Sequence, residues 1–238
     1  MLIKSLLATT FFSGTLLLIT PPAVAQEHPP ASEIVPTAEE PMHHVIAQTD
    51  DITLMRVLIP AGQHTLWHEQ HLDYVNTAIQ GTPVEIQYAD KPTKDTEMMT
   101  GKIRFGAHQG KPDTDLVKNT GKTVNHQVAF EIRQAGPRHF GPSDRSNVKG
   151  FSLVLDKPSV RGWHVHLEPG ESTGEYQQSG PGVRIIFSGD RLLSQAHGEN
   201  LVTTENIHPA DGYIVKPGKR RIINAGNQPL DFNEYELL

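Results

Sequence analysis

The chain has 238 residues, no cysteine and a formal net charge of −6 with histidine counted as neutral. The missing cysteines exclude disulfides, so stability must come from packed cores. The acidic balance and the lack of any basic block exclude nucleic acid and anionic membrane surfaces as partners.

The first segment reads as a leader. Lys4 gives a positive start, the apolar run LLATTFFSGTLLLI follows, and Ala23 and Ala25 are the small residues of a signal-peptidase site. Residues 1–25 are therefore expected to be a cleaved signal peptide. The run is too short and interrupted for a membrane span, and no cysteine follows it to carry a lipid. The expected location is periplasmic or secreted. Residues 26–41 are rich in Pro and Glu, with few apolar side chains, and are expected to form a flexible lead-in.

From residue 42 onward short apolar and β-branched runs alternate with Gly, Pro, Asn and Asp: ITLMRVLI, VEIQY, VAFEI, FSLVL, VRIIF, YIVK, RRIIN. No long 3.6-residue apolar period is present, so the chain is expected to be all-β. It also repeats itself. Shifted by 108 residues, VLIPAGQHT (Val57 to Thr65) falls on VHLEPGEST (Val165 to Thr173), and Gly81 falls on Gly189. With a shift of 105, NTG at Asn119 meets NAG at Asn224. The two copies predict domains at 42–134 and 150–238, joined by a linker at 135–149.

A strand ending in Ala-Gly or Pro-Gly, a polar segment with His, a strand ending in Gly, and later the string PGKRRIINAGN resemble the two motifs of the cupins. The resemblance covers both halves and implies a two-domain cupin, two tandem small antiparallel β-barrels or jelly rolls. It implies a pocket for a small-molecule ligand or substrate in each, while the family's activities are too varied for fold to name one.

Family metal sites resemble three His and one Glu, which suit one divalent transition metal such as Fe, Mn, Zn, Ni or Cu. In the first half His68 takes the first His position. Counting back from Gly81 then puts Gln70 second and Tyr74 at the Glu position. Anchoring on HLDYV instead makes His71 the second ligand and Asp73 the carboxylate, which requires a bulge. No His precedes Asn119, and Asp115 is the nearest oxygen donor. A metal set of His68, His71 and Asp73 therefore stands beside the plainer reading of polar residues at a barrel mouth.

In the second half Tyr176, Gln177 and Gln178 replace the histidines, and Arg220 and Arg221 stand at the second-motif position. Tyr176, Gln178, Arg220 and Arg221 are suited to a polar or anionic ligand. The alternative places one arginine in solvent and pairs the other with an acid such as Glu175. The Gly-rich stretch GKIRFGAHQGKPDTD is expected to be a long loop near the pocket mouth. The histidines of WHVHLEP precede the Pro-Gly turn, so His164, His166 and Glu168 are expected on one strand face, away from the family's ligand positions.

Three functions remain open at this level. The chain is an exported binder of a small polar or anionic ligand, a metal-dependent oxygenase, isomerase or hydrolase using His68 and His71, or a scaffold whose edge strands form a homodimer.

Overall fold

The computed structural model describes residues 29–134, 140, 143–198 and 202–238, so the leader lies outside the described residues. Strands are numbered β1 to β19 in chain order. In the first half, one sheet has the order β1 (Val35–Pro36), β4 (His68–Gln70), β9 (Asp113–Asn119), β6 (Thr82–Tyr88), β7 (Lys94–Met98). Its partner has the order β2 (His43–Gln48), β3 (Ile52–Ile59), β10 (Asn125–Ile132), β5 (Asp73–Gln80), β8 (Ile103–Gly106). In the second half, β11 (Phe151–Lys157), β12 (Val160–Leu167), β19 (Leu230–Leu237), β14 (Gly182–Ser188) and β17 (Gly212–Val215) form one sheet. The other contains β13 (Tyr176–Gln178), β18 (Gly218–Asn224), β15 (Arg191–Ala196) and β16 (Val202–Asn206). The all-β expectation holds. Each half is a two-sheet jelly roll, and among the described residues neither closes into a continuous barrel.

The repeat is physical. Gly62 and Gly170 both adopt positive φ, 76° and 82°, at the turn after β3 and after β12. That backbone conformation favours a residue without Cβ. Asn119 and Asn224 are both fully buried. The Asn119 amide donates to the Ile59 and Thr123 carbonyls and its Oδ1 accepts from the Gly121 amide. Asn224 does the same with Leu167, Gln228 and Gly226. Thr65 and Thr173 each accept a backbone N–H from the neighbouring strand at 2.9 Å.

The run ITLMRVLI is apolar on both faces because β3 is covered twice. Met55, Val57 and Ile59 point into the first roll. Ile52 and Leu54 pack with Val128 and Phe130 against Val160, Val183, Ile185 and Tyr235 of the second roll. The two rolls thus meet sheet to sheet through an apolar core, and Thr77 and Tyr235 exchange a hydrogen bond of 2.8 Å across it.

Residues 29–41, expected to be mobile, are built into the first roll. Val35 and Pro36 pair in parallel with His68 and Glu69, and Thr37 and Glu40 are buried. The backbone partners offered by β4 hold this polar stretch, which its composition alone could not.

Candidate functional site

A cavity of about 220 Å³ opens between the two sheets of the first roll. His43, His68, Arg104, His108, Asp113 and Asp115 are the ionisable histidine, arginine and aspartate residues of its lining, with Gln70, Asn76 and Gln127 among the neutral polar ones. β2 delivers His43, β4 His68, β9 Asp115 and β8 Arg104. The Gly-rich stretch expected as a loop is therefore partly strand, and it lines the cavity.

Two imidazole–carboxylate pairs sit side by side. Glu40 Oε2 accepts from His43 Nδ1 at 2.6 Å and from the Met42 amide, while Oε1 accepts from the Leu66 amide. Burial raises the Glu40 carboxyl, but the His43 bond and the amide bonds outweigh it and hold the group below its ordinary value. Burial also lowers His43 more than Glu40 raises it. The pair is thus a carboxylate with a neutral imidazole, Nδ1–H donating. No hydrogen bond from the described residues reaches His43 Nε2, which leaves that lone pair for a ligand.

The His43 and His68 rings lie 4.9 Å apart. His68 Nδ1 donates to the Leu66 carbonyl at 3.0 Å, so its Nε2 faces Asp115 Oδ1 at 3.2 Å. A lone pair and a carboxylate oxygen at that distance need a proton on one of them. Burial raises the Asp115 carboxyl to about 6, against the lowering effect of His68. Asp115 Oδ1 is buried and makes no well-directed hydrogen bond within the protein. Burial thus favours the protonated form of Asp115, whose carboxyl stands at the cavity wall.

The set His68, His71 and Asp73 does not come together. His68 points into the cavity. The His71 side chain is 56 % exposed and pairs with Glu69 at 2.9 Å. Asp73 points the other way along β5, toward the second roll, where Ser159 Oγ donates to it at 2.7 Å. Strand alternation puts its neighbour Tyr74 inside instead. A transition-metal site needs at least three converging donors. Among the described residues no three His, Asp or Glu side chains converge. The donors present do not fit the metal that the resemblance implies.

The set Tyr176, Gln178, Arg220 and Arg221 is also divided. Tyr176 and Gln178 are buried inside the second roll. There the Tyr176 hydroxyl donates to Glu234 at 3.3 Å and Gln178 Oε1 accepts from Arg145. Arg220 is half-buried opposite Tyr176 and donates to the Lys216 carbonyl, whereas Arg221 is exposed on the other face of β18 and donates to Gln195 at 2.7 Å. Glu175, suggested as their partner, pairs with Lys219 and His197 instead.

The space in the second roll is filled from the linker. Ser143 to Lys149 lies against this roll, and Arg145 is fully buried within it. Its Nη1 donates to Glu234 Oε1 at 2.8 Å, and its guanidinium carbon lies 4.1 Å from the Trp163 ring centre and 4.5 Å from that of Tyr176. Arg184 binds the other oxygen of Glu234 through two nitrogens, at 2.9 and 2.7 Å.

Trp163, Val165 and Leu167 are buried and His164 and His166 face outward, as the alternation predicts. Both histidines share Asp231 Oδ1, at 3.2 and 2.8 Å, and the Asp231 bond raises the His166 imidazole.

Glu40, His43 and Arg145 were missed as site residues. Glu40 and Arg145 lie in stretches read as lead-in and linker, and His43 stands at the very start of the first predicted domain. The available signal was the 108-residue shift carried further upstream, which places Phe151 on His43 and Arg145 on Thr37.

No family model and no curated protein matches the sequence. Solved structures do resemble it. AerE from Microcystis aeruginosa is 12 % identical with a TM-score of 0.56, over 84 % of this chain and 98 % of that one. A salicylate 1,2-dioxygenase from Pseudaminobacter salicylatoxidans is 9 % identical with a TM-score of 0.56, over 81 % and 75 %. A cupin 2 conserved barrel domain protein from Leptotrichia buccalis is 7 % identical with a TM-score of 0.51, over 82 % and 88 %. Identities this low carry fold and no activity. The chain has the cupin fold, present twice in tandem.

Proposed function

We propose that the first roll binds a small polar or anionic molecule between the Glu40–His43 and His68–Asp115 pairs. The observation that carries this is the coincidence, in one cavity, of Asp115 Oδ1, a buried oxygen without a well-directed hydrogen bond, and His43 Nε2, which no hydrogen bond from the described residues reaches. Buried polar atoms are normally satisfied, so an unsatisfied buried oxygen at Asp115 beside an open imidazole nitrogen marks a ligand's position. Arg104 supplies a cation on the wall for an anionic group.

A second reading is favoured by the protonation states. His43 is a neutral imidazole held by a carboxylate, and burial raises the nearby Asp115 carboxyl to about 6. A base at His43 and an acid at Asp115, lining one cavity, could move a proton on the bound molecule without a metal.

The test is a screen of small carboxylates, hydroxy acids and sugars by thermal shift and NMR. A ligand present at 100 times its Kd is expected to stabilise the protein by about 2.7 kcal/mol. His43→Ala is expected to weaken that ligand at least about tenfold, equivalent to about 1.4 kcal/mol, with Arg221→Ala leaving it unchanged. Binding that survives His43→Ala and disappears in Arg221→Ala would move the site to the second roll and defeat the reading.

A further inference from the structure

The 108-residue shift that relates the two rolls also relates their interiors. It places Phe151 on His43 and Tyr176 on His68. The structure repeats this correspondence: Phe151 pairs with Val165 as His43 pairs with Val57. The two ring pairs have nearly the same geometry, 4.7 Å and 59° against 4.9 Å and 51°. In the first roll that ring pair borders an open cavity. In the second the Arg145 guanidinium lies 5.2 Å from one ring centre and 4.5 Å from the other. Its counterpart in the first roll is Thr37, too short to reach the same space.

We propose that the second roll is a guanidinium-binding site and that Arg145 is its tethered ligand. The site is built for that group. Trp163 covers one side of the guanidinium, an arrangement that favours a flat, weakly hydrated cation over an ammonium. Glu234 Oε1 and Gln178 Oε1 accept from its two terminal nitrogens, and Glu236 Oε2 lies 3.5 Å from one of them. Glu234 and Glu236 are two buried acids facing two buried arginines, Arg145 and Arg184. Only Arg145 comes from outside the strands of the roll. The chemical class this site takes is a monosubstituted guanidinium. The proposal is independent of the ligand of the first roll.

The experiment uses the full chain carrying Arg145→Ala, with ethylguanidinium, the part of the side chain that the substitution removes. The variant is expected to melt roughly 10 °C below the wild type, because one buried partner of an ion pair is lost. Millimolar ethylguanidinium is expected to recover at least half of that loss with saturation, while leaving the wild type unchanged. Ethylammonium, which carries the charge without the planar fork, is expected to recover little. No recovery, equal recovery with ethylammonium, or an equal rise in the wild type would overturn the proposal. A measurement on the wild type does not depend on how the variant folds. Held at both ends, the Arg145 guanidinium should give separate, slowly exchanging Nη proton signals by NMR. Rotationally averaged signals would overturn it as well.

Discussion

Replacing Glu234 with alanine is expected to cost about 3–5 kcal/mol, the range for breaking a buried ion pair from one side. Glu234 is fully buried and accepts from Arg145, Arg184 and Tyr176. Its removal strands two buried guanidinium groups, with Glu236 and the neutral Gln178 left beside Arg145, and the loss reflects charges left unpaired more than the net worth of the pair itself. The measurement is urea unfolding of wild type and variant, and a difference below about 1 kcal/mol would show that water or a rearrangement compensates.

The same carboxylate sets an acid limit. Burial raises Glu234, but the charges of Arg184 and Arg145 and the bonds from Arg184 and Tyr176 outweigh it and hold it below its ordinary value of 4.5. A depressed carboxyl contributes stability that is present above its unfolded value and lost as pH falls through its folded one. Wild type should therefore lose part of its stability below about pH 4, and Glu234→Gln should flatten that limb. Glu236 acts with the opposite sign, because burial raises it despite Arg145. Its share is present below its unfolded value and is lost as pH rises through its folded one. Comparing Glu234→Gln with wild type isolates the first contribution from the second.

Asn119→Ala and Asn224→Ala are each expected to destabilise the protein by about 3 kcal/mol, at about 1 kcal/mol for each of three side chain–backbone hydrogen bonds. Asn119 ties the end of β3 to the turn after β9, with bonds of 2.8, 2.7 and 2.9 Å. Asn224 ties the end of β12 to the turn after β18, with bonds of 2.9, 2.9 and 3.0 Å. Alanine leaves two carbonyls and one amide at each place without a partner. The two losses should agree within about 1 kcal/mol and should add in the double variant, since the sites share no partner. If one variant proves neutral in denaturant unfolding, the two rolls are not built on the same internal support.

Much of this was legible in the sequence because it depends on local chemistry. Gly62 and Gly170 recur because the turn needs positive φ. Asn119 and Asn224 recur because a short amide can bridge a strand end and a turn. The alternation of WHVHLE placed its histidines outside without any knowledge of the partner strand. Those features determined an all-β chain, its duplication and the cupin-like order of motifs.

The sites depended on tertiary structure. Whether Asp73 or Tyr74 enters the cavity is decided by which face of β5 meets the second roll, and the apolar contact between the rolls turns Asp73 toward Ser159. Glu40 belongs to a segment with too few apolar residues to order itself, which is held where Val35 and Pro36 pair with β4, and His43 is placed by the pairing of β2 with β3. Arg145 reads as one more polar linker residue until Trp163, Tyr176 and Glu234, spread over three strands, come together around it. A sequence carries periodicity and turn chemistry along the chain. Which face is covered, and which charge is trapped beneath it, is decided by groups far apart in that order.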